Sequence, residues 1–494
     1  MVRMQSSPAI DRMTEPLRGE KAGRPAALRA LLLVLVFSLP IALAVRPVTD
    51  PDIWSHLRHG QWIVEHRAVP LVDAFSLRAG KRWIAYSWLF EVLVYGLYES
   101  LGLPGLVLYT AALALVVARA LLGLMDRVQP DPAISCILCA GGILAMAPLL
   151  VHPRPWLLTV VFFIAETALI LEARQGNERR PFQLLPLLFA LWANVHIQFV
   201  YGLFALGVAA VEPLVEEGGD PRSRGRRFRR MLALLGLCGV ATLLNPYGIR
   251  IYLAVYDAGA AIHPSLYLQE FQAPQLRSTF DWIMLAVIVG GVFVLGRRGR
   301  VRSWPGMLLA SGVALAFRTA RDVWFGVVAA LVVLGTHVPR ARETGGRLSG
   351  RWRLGVAATV ALVAVSLGSA RAGRDRLEAS LAETFPVGAA AEIERRGISG
   401  SMYNHYDWGG YLMWRLPGLL VSLDGRAPIH GDARILRSVA TWAGQDGWDT
   451  DPELLEAAVV IGERKSALVS LLRGDARFEL AYEDGVAAVF IPRR

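Results

Sequence analysis

The sequence predicts a polytopic α-helical membrane protein of about 11 transmembrane helices, followed by a C-terminal extracytoplasmic α/β domain. Three observations support this fold class. Of the 494 residues, 54% are hydrophobic, the apolar residues form blocks of roughly 14–20, which suit hydrocarbon spans, and the arginines concentrate in short loops between them. A single soluble globule is excluded, because soluble domains carry far fewer continuous apolar segments.

The net charge of +11 comes from 52 Lys and Arg against 41 Asp and Glu. Only Lys21, Lys81 and Lys465 are lysines, so the excess is almost entirely arginine. Arginine in short loops sets membrane orientation, so no nucleic-acid partner is predicted. The three cysteines, Cys136, Cys139 and Cys238, lie inside apolar segments, where small buried hydrophobes are expected instead of a redox or metal pair.

The first span is predicted at Leu28–Val45, behind a basic cytoplasmic tail of residues 1–27. Arg24 and Arg29 before this segment, with Ala42-Leu43-Ala44 near its end, would also suit a cleaved signal peptide. The long leader and the many spans that follow favour a retained anchor.

The remaining topology follows from four basic loops, which are predicted to be cytoplasmic: Arg174–Arg180, Pro221–Arg230, Arg297–Arg302 and Arg340–Arg353. The spans are then near 28–45, 105–125, 134–151, 155–173, 182–194, 197–215, 231–244, 281–296, 304–318, 322–338 and 352–370. Residues 28–370 thus form the transmembrane domain and residues 371–494 lie outside. The predicted location is the inner membrane of a bacterium.

The first outer loop, residues 46–104, is long for a connector and is predicted to have its own structure. Trp54, Leu57 and Trp62 fall at helical spacing. The segment 86–101 contains Glu91 and Glu99, whose burial in lipid would be costly, so a juxtamembrane or re-entrant helix is expected. The loop should frame a groove, with an aromatic set at the headgroup layer: Trp83, Tyr86, Trp88, Tyr95 and Tyr98.

Polar residues at the outward helix ends form the candidate site. Helix ends that face water are usually polar even where no ligand binds. For each residue, solvation of a helix end therefore remains an alternative to a binding role. Two features go beyond it: the tight turn His152–Pro155 between apolar spans, and the interruption of an apolar run by Asn194 and His196. The candidates are Asp50, Asp52, His56, His59, His152, Arg154, Asn194, His196, Gln198, Asn245, Tyr247, Arg318 and Arg321.

Residues 371–494 show strand-length apolar runs that alternate with helical segments, which predicts a small α/β domain with a mixed sheet. The strands are expected at 401–404, 419–423, 457–461, 478–482 and 486–491, the last two as a hairpin. Several polar residues lie at or after strand ends, where they either contact an acceptor or pack this domain onto the membrane part: Asn404, Asp407, Trp408, Asp424, Arg426 and His430.

Four sequence motifs carry a resemblance to a known superfamily. They are Asp50-Pro51-Asp52-Ile53-Trp54-Ser55-His56-Leu57, Leu191-Trp192-Ala193-Asn194-Val195-His196, Leu244-Asn245-Pro246-Tyr247-Gly248, and Tyr406-Asp407-Trp408-Gly409-Gly410-Tyr411 with Asp424-Gly425-Arg426. With an acidic pair directly after its first span, a long first outer loop with interfacial helices and a soluble outer C-terminal domain, the chain resembles GT-C glycosyltransferases that use polyprenyl-phosphate sugars, such as protein O-mannosyltransferases and lipid A aminoarabinose transferases. The four motifs more closely resemble those of a bacterial group of uncharacterised GT-C-like membrane proteins.

The resemblance implies sugar transfer, with inversion, from a polyprenyl-phosphate donor in the membrane lipid to an extracytoplasmic acceptor. A carboxylate of the first loop would be the base. We place Asp50 ahead of Asp52, because Pro51 disfavours a helical conformation at Asp50 and Asp52 has an alternative role as a helix N-cap. Arg154, Arg318 or Arg321 would hold the donor phosphate.

Two other functions remain open: a non-catalytic partner or transporter of lipid-linked saccharide, and an O-antigen polymerase or ligase-like enzyme. Asp50, Asp52, His56 and His59 offer oxygen and imidazole ligands that suit a divalent metal. No motif of fixed ligand spacing is matched, so no cofactor is predicted.

Overall fold

A computed structural model describes residues 18–216, 220–260, 269–298, 303–339 and 348–493. Most of the predicted tail 1–27 and parts of the basic loops 297–302 and 340–353 lie outside the described residues. Within these ranges, the chain folds into a helical bundle followed by a small sheet domain.

The bundle helices are separated by short connections, and several begin with Pro in the first turn, where a missing N–H costs nothing. Asp131 and Asp220 cap two of them with side-chain oxygens. The helices are α1 (Arg18–Ala44), α2 (Asp52–His66), α3 (Trp88–Leu101), α4 (Leu103–Val128), α5 (Pro132–Ala145), α6 (Trp156–Arg174), α7 (Arg179–Val195), α8 (Phe199–Val215), α9 (Pro221–Ala241), α10 (Ile251–Ala260), α11 (Thr279–Arg298), α12 (Trp304–Arg318), α13 (Val323–His337) and α14 (Gly350–Arg371).

Each of the eleven predicted spans coincides with one helix of this bundle, and the segment 86–101 with α3. Six described segments are long and apolar enough to cross a membrane, and α5 and α8 are apolar but shorter. The protein is therefore a multi-pass membrane protein. Whether each of the other helices crosses the bilayer stays a prediction. The six are Ala26–Ala44, Leu103–Val128, Trp156–Arg174, Thr279–Arg297, Ala320–His337 and Gly350–Arg371.

The helix ends gather on two opposite faces of the bundle. At one face, Arg174 at the end of α6 and Arg227 near the start of α9 both pair with Glu212 of α8, at 2.5 and 3.7 Å. At the other, Asn194 at the end of α7 reaches the carbonyl of Leu244 beyond α9, at 2.8 Å. From α6 to α9, the helix ends therefore alternate between these two faces in the predicted order. We call these the basic face and the site face.

The sheet domain follows α14 and contains five strands within the described residues. They are β1 (Gly400–Asn404), β2 (Leu419–Val421), β3 (Val459–Glu463), β4 (Phe478–Glu483) and β5 (Ala487–Pro492), in the order β2-β1-β3-β5-β4. β1 is parallel to β2 and β3, and β5 is antiparallel to β3 and β4. The mixed sheet and its closing hairpin are as predicted. The flanking helices are α15 (Arg374–Thr384), α16 (Val387–Arg395), α17 (Gly409–Arg415), α18 (Ala427–His430), α19 (Asp432–Trp442), α20 (Pro452–Leu455) and α21 (Ala467–Leu472).

The sheet domain packs directly on the first loop at the site face. A Cβ at Gly410 of α17 would lie 2.8 Å from the carbonyl oxygen of Pro51, so the two segments touch backbone to backbone. Trp54 of α2 is fully buried and packs edge-on against Tyr411 at 5.3 Å. This contact fixes where the loop lies relative to the sheet.

Two of the loop aromatics that we predicted to lie in the headgroup layer contact the sheet domain. Tyr98 packs against Trp414 of the sheet domain, with ring centroids 5.5 Å apart. Trp83 is 8% exposed and lies beneath the Arg426 guanidinium at 4.9 Å. The sheet domain thus covers apolar surface of these two rings that would otherwise face lipid or water, and the position of the other aromatics stays a prediction.

Candidate functional site

The centre of the site is an acidic pair held by one arginine. Arg154, in the turn before α6, donates from Nε to Asp50 Oδ2 and from Nη1 to Asp52 Oδ2. The guanidinium side chain is 15% exposed, while the carboxylate side chains are 1% and 28% exposed respectively. The tight turn and the acidic pair, separately singled out by sequence, thus form one cluster.

The capping role that we had considered for Asp52 falls to Asp50. Helix α2 begins at Asp52, and the backbone N–H of Asp52 donates to Asp50 Oδ1 at 3.0 Å. The Asp50 side chain therefore accepts a hydrogen bond from a free backbone N–H at the start of the helix. We had considered this capping role for Asp52. The reason is that Pro51 keeps Asp50 outside the helix, which aims its carboxylate back at the first free N–H.

The surroundings push the pKa values of the pair in opposite directions. For Asp50, burial favours the neutral form, but the Arg154 guanidinium and the nearby His152 outweigh it and lower the pKa. For Asp52, burial is the largest influence and raises the pKa, aided by the negative charges of Asp50 and Glu270 and opposed by Arg154. Asp50 is held ionised, while Asp52 is the carboxylate more ready to take a proton.

A second cation lies beside the pair. The guanidinium carbons of Arg154 and Arg321 lie over the ring of Trp156, at 5.0 and 5.8 Å from its centre. Arg321 pairs loosely with Glu270 at 3.4 Å, and its buried Nε has no hydrogen-bond partner among the described residues. Arg154 is already committed to two carboxylates, so Arg321 has the greater free capacity for an anion.

Three predicted site residues form hydrogen bonds between helices, and their role in binding stays a prediction. Asn194 accepts a hydrogen bond from Trp88 Nε1 at 2.8 Å and so ties α3 to α7. His196 lies 2.9 Å from the hydroxyl of Thr159 on α6. Gln198 donates to Asp322 at 3.0 Å. All three are buried, and each of these contacts joins one helix end to another part of the bundle.

The motif that contains Asn245 and Tyr247 binds the first outer loop through hydrogen bonds. Asn245 accepts the backbone N–H of Tyr247 at 2.8 Å and shapes the turn. The Tyr247 hydroxyl donates to the carbonyl of Pro70 at 2.9 Å and accepts the N–H of Ala85 at 3.0 Å. Arg318, by contrast, is exposed at the end of α12. These three predicted binding residues therefore lie outside the acidic cluster.

The two predicted histidines of α2 face an acid that sequence reasoning did not place in the site. His56 Nδ1 and His59 Nδ1 each lie 3.1 Å from the same oxygen, Glu91 Oε1. The Glu91 carboxyl is buried, which by itself would raise its pKa, but the two imidazoles lower the pKa to about 2. Glu91 was noticed only as an acid too costly for lipid, and that cost was the available signal.

The sheet domain contributes the opposite wall of the site. Arg426 pairs with Asp424 at 2.7 Å and with Asp73 of the first loop at 2.8 Å. Between them, a Cβ at Gly425 would lie 2.1 Å from Asp52 Oδ1. The Asp424-Gly425-Arg426 segment thus attaches the sheet domain to the first outer loop. It also places the backbone of Gly425, which has no side chain, against Asp52. Of the two roles left open for these residues, packing is observed for Asp424 and Arg426.

Two solved membrane proteins share this architecture. AglB, the oligosaccharyltransferase from Archaeoglobus fulgidus, in complex with an inhibitory peptide and a dolichol-phosphate, aligns with a TM-score of 0.53 at 11% identity, over 90% of this chain and 69% of that chain. ArnT from Cupriavidus metallidurans in the apo state aligns with a TM-score of 0.50 at 13% identity, over 95% and 97%.

This chain has a GT-C-like fold. The resemblance seen in the motifs is therefore confirmed at the level of the fold. No protein-family model matches the chain, and no curated protein matches its sequence. At 11–13% identity the likeness extends to architecture alone, and the activity has to be argued from the site.

Proposed function

We propose that the protein is a membrane glycosyltransferase that moves a sugar from a polyprenyl-phosphate donor to an acceptor at the site face, with inversion. The observation that carries this proposal is the acidic pair. One of its carboxylates has a raised pKa, a partly exposed side chain and a fixed neighbour of opposite charge. That combination suits a general base.

The donor phosphate would bind beside the acidic pair, where Arg321 lies. Arg321, 21% exposed and weakly paired, would bind the phosphate oxygens with its guanidinium fork. Arg321 lies in the short turn before the apolar helix α13, so the proposed phosphate site is at the end of the apolar bundle. The AglB structure contains a dolichol-phosphate, which supports a lipid phosphate as the ligand class.

The transfer step uses Asp52 as the base. Its carboxylate removes the proton from the acceptor hydroxyl or amine as that group attacks the anomeric carbon from the side opposite the phosphate. The new glycosidic bond forms while the bond from the anomeric carbon to the phosphate oxygen breaks, and polyprenyl phosphate leaves with the electron pair. Asp50 stays ionised and, through Arg154, orients Asp52.

The proposed orientation places the site face and the sheet domain outside the cytoplasm, in a bacterial inner membrane. The arginines of the basic face support this orientation, because cytoplasmic loops carry an excess of Lys and Arg. A lipid-linked donor suits that side, since its phosphate can remain at headgroup level while its sugar is in water.

The runner-up is a protein that binds lipid-linked saccharide without reacting. It predicts that neutralising Asp52 leaves the cellular glycans unchanged. The deciding experiment is a mass-spectrometric inventory of glycolipids and glycans from cells with the gene, without it, and with Asp52→Asn in its place. A glycan lost in the deletion strain and not restored by Asp52→Asn supports the transferase; full restoration contradicts it.

A further inference from the structure

Three potential metal ligands converge beside the acidic pair. His56 and His59 are three residues apart on α2 and so face the same side of that helix, and Glu91 lies in the first turn of α3. One ligand atom from each lies within 4.8 Å of the other two. We call these three residues the His-His-Glu cluster.

The fold holds this cluster rigidly. A Cβ at Gly60 would lie 2.2 Å from the carbonyl oxygen of Glu91, so only glycine lets α2 and α3 approach closely enough. The imidazole of His59 packs against Trp83 at 4.4 Å, and that of His56 against Phe90 at 5.0 Å. The two rings are therefore positioned by packing before any ligand arrives, which is the requirement for a metal site.

Hydrogen bonding alone leaves the cluster incomplete. Both imidazoles crowd onto Glu91 Oε1, while Glu91 Oε2 is buried without a hydrogen-bond partner among the described residues. An ionised carboxylate has acceptor sites on both oxygens, and a buried oxygen left unsatisfied is costly. A cation at the cluster would offset the buried negative charge and engage this carboxylate.

The distances suit a small ion. Ligand atoms that bind Zn²⁺ at about 2.0–2.1 Å in a tetrahedron lie roughly 3.3–3.4 Å from one another. The two observed N···O separations of 3.1 Å are close to that spacing. Two imidazoles with one carboxylate favour zinc and its transition-metal neighbours over Mg²⁺ or Ca²⁺, which prefer oxygen ligands throughout.

We propose that His56, His59 and Glu91 bind one divalent transition-metal ion of the Zn²⁺ class, with one further coordination position left open. The opening lies on the His56 side, because that side chain is 17% exposed while those of His59 and Glu91 are 2% and 3% exposed. The acidic pair is not the metal site, because Arg154 occupies both carboxylates. The sequence had grouped the two histidines with Asp50 and Asp52; the fold pairs them with Glu91.

The test measures metal content of the full-length protein in detergent. The protein is stripped with EDTA, equilibrated with ZnCl₂, desalted and analysed by inductively coupled plasma mass spectrometry. We expect about one Zn²⁺ per chain for the wild type, and loss of most of it in Glu91→Gln and His56→Gln. Matched controls are Glu99→Gln on α3 and His66→Gln on α2, which change the same residue types at exposed positions and should retain the wild-type amount.

Co²⁺ gives a second readout, because imidazole and carboxylate ligands in a four-coordinate site produce strong visible absorption that the cluster variants should lack. Size-exclusion chromatography shows whether each variant is folded. If Glu91→Gln is not folded, the test relies on His56→Gln, because His56 is only partly buried. Equal zinc retention in the wild type and His56→Gln, or none in the wild type, overturns the site. Zinc content is measured without substrate, so the two proposals are tested separately. A protein that binds zinc but has no transferase activity would contradict only the proposed transferase. A protein that is active but binds no zinc would contradict only the proposed metal site.

Discussion

Replacing Asp52 by Asn removes the proposed base while keeping the size and the hydrogen-bonding edge of the side chain. The raised pKa of Asp52 means that its ionised form is disfavoured in the folded protein, so neutralising it should not lower the melting temperature. The loss of a general base costs about 10²–10⁴-fold in rate, or roughly 3–5 kcal/mol of barrier. Asp52→Asn should therefore be nearly inactive and as stable as the wild type.

Asp50→Asn is the matched comparison and should behave differently. The pKa of Asp50 is lowered, so its charge contributes stability at neutral pH, and this contribution is lost only as the pH falls through that lowered value. Breaking a buried ion pair costs about 3–5 kcal/mol when one charge is left alone. Arg154 keeps Asp52 as a partner, so the expected cost is about 1.5–3 kcal/mol, the range for a hydrogen bond to a charged group.

The assay combines two measurements on each variant: the amount of the gene-dependent glycan in the complemented deletion strain, and the melting temperature of the purified protein. We expect Asp52→Asn to lose the glycan with an unchanged melting temperature, and Asp50→Asn to melt earlier while retaining partial activity. An inactive Asp50→Asn beside a fully active Asp52→Asn would return the base to Asp50. Full activity in both would refute the mechanism.

Four further predictions concern the pH profile, Gly425, Arg321 and the membrane topology. The transfer rate should fall as the pH drops through the raised pKa of Asp52, so the acidic limb of its pH profile should lie above the ordinary Asp value of about 3.9; a limb at or below that value argues against Asp52. Gly425→Ala should cost at least about tenfold in activity, because its Cβ would lie 2.1 Å from Asp52 Oδ1, whereas Gly418→Ala, with open space around it, should be neutral; equal activities would mean that the carboxylate can move away. Arg321→Gln should weaken binding of farnesyl phosphate, measured by calorimetry in detergent, while Arg318→Gln at an exposed position should not; unchanged affinity in both would place the phosphate elsewhere. Cysteines introduced at Gly225 and Gln445 should react with an impermeant maleimide from opposite sides, position 445 from outside; equal labelling of both from outside would overturn the topology.

The positions of most helices and strands could be predicted from sequence because the signals that define them are local. Apolar blocks of span length marked the bundle helices, and strand-length runs marked the sheet. The strand predicted at 401–404 is β1, Gly400–Asn404. The hairpin of β4 and β5 was predicted from the two apolar runs 478–482 and 486–491, which needs no knowledge of the rest of the chain.

The site was predictable only as a list of polar residues at helix ends. Asp50, Asp52 and Arg154 were on that list, but so were Asn194, Gln198 and Asn245, and sequence offers no means of separating the two groups. Both groups occupy the same kind of position along the chain. What distinguishes them is their partners in space: Asp50, Asp52 and Arg154 form an ion-paired cluster with one another, whereas Asn194 and Gln198 bond to neighbouring helix ends and Asn245 bonds within its own turn.

What the sequence determined by itself is the membrane-spanning class, the order of helix ends and the α/β character of the last domain, because hydrophobic burial acts on every segment in proportion to its own apolar surface. The tertiary structure alone decided which carboxylate of the pair has the raised pKa and that Glu91 faces two histidines. Arg154 is 104 positions from Asp50, and Glu91 is 32 positions from His59. Electrostatic interactions depend on distance in space and on local burial, and neither quantity can be obtained from the order of residues along the chain.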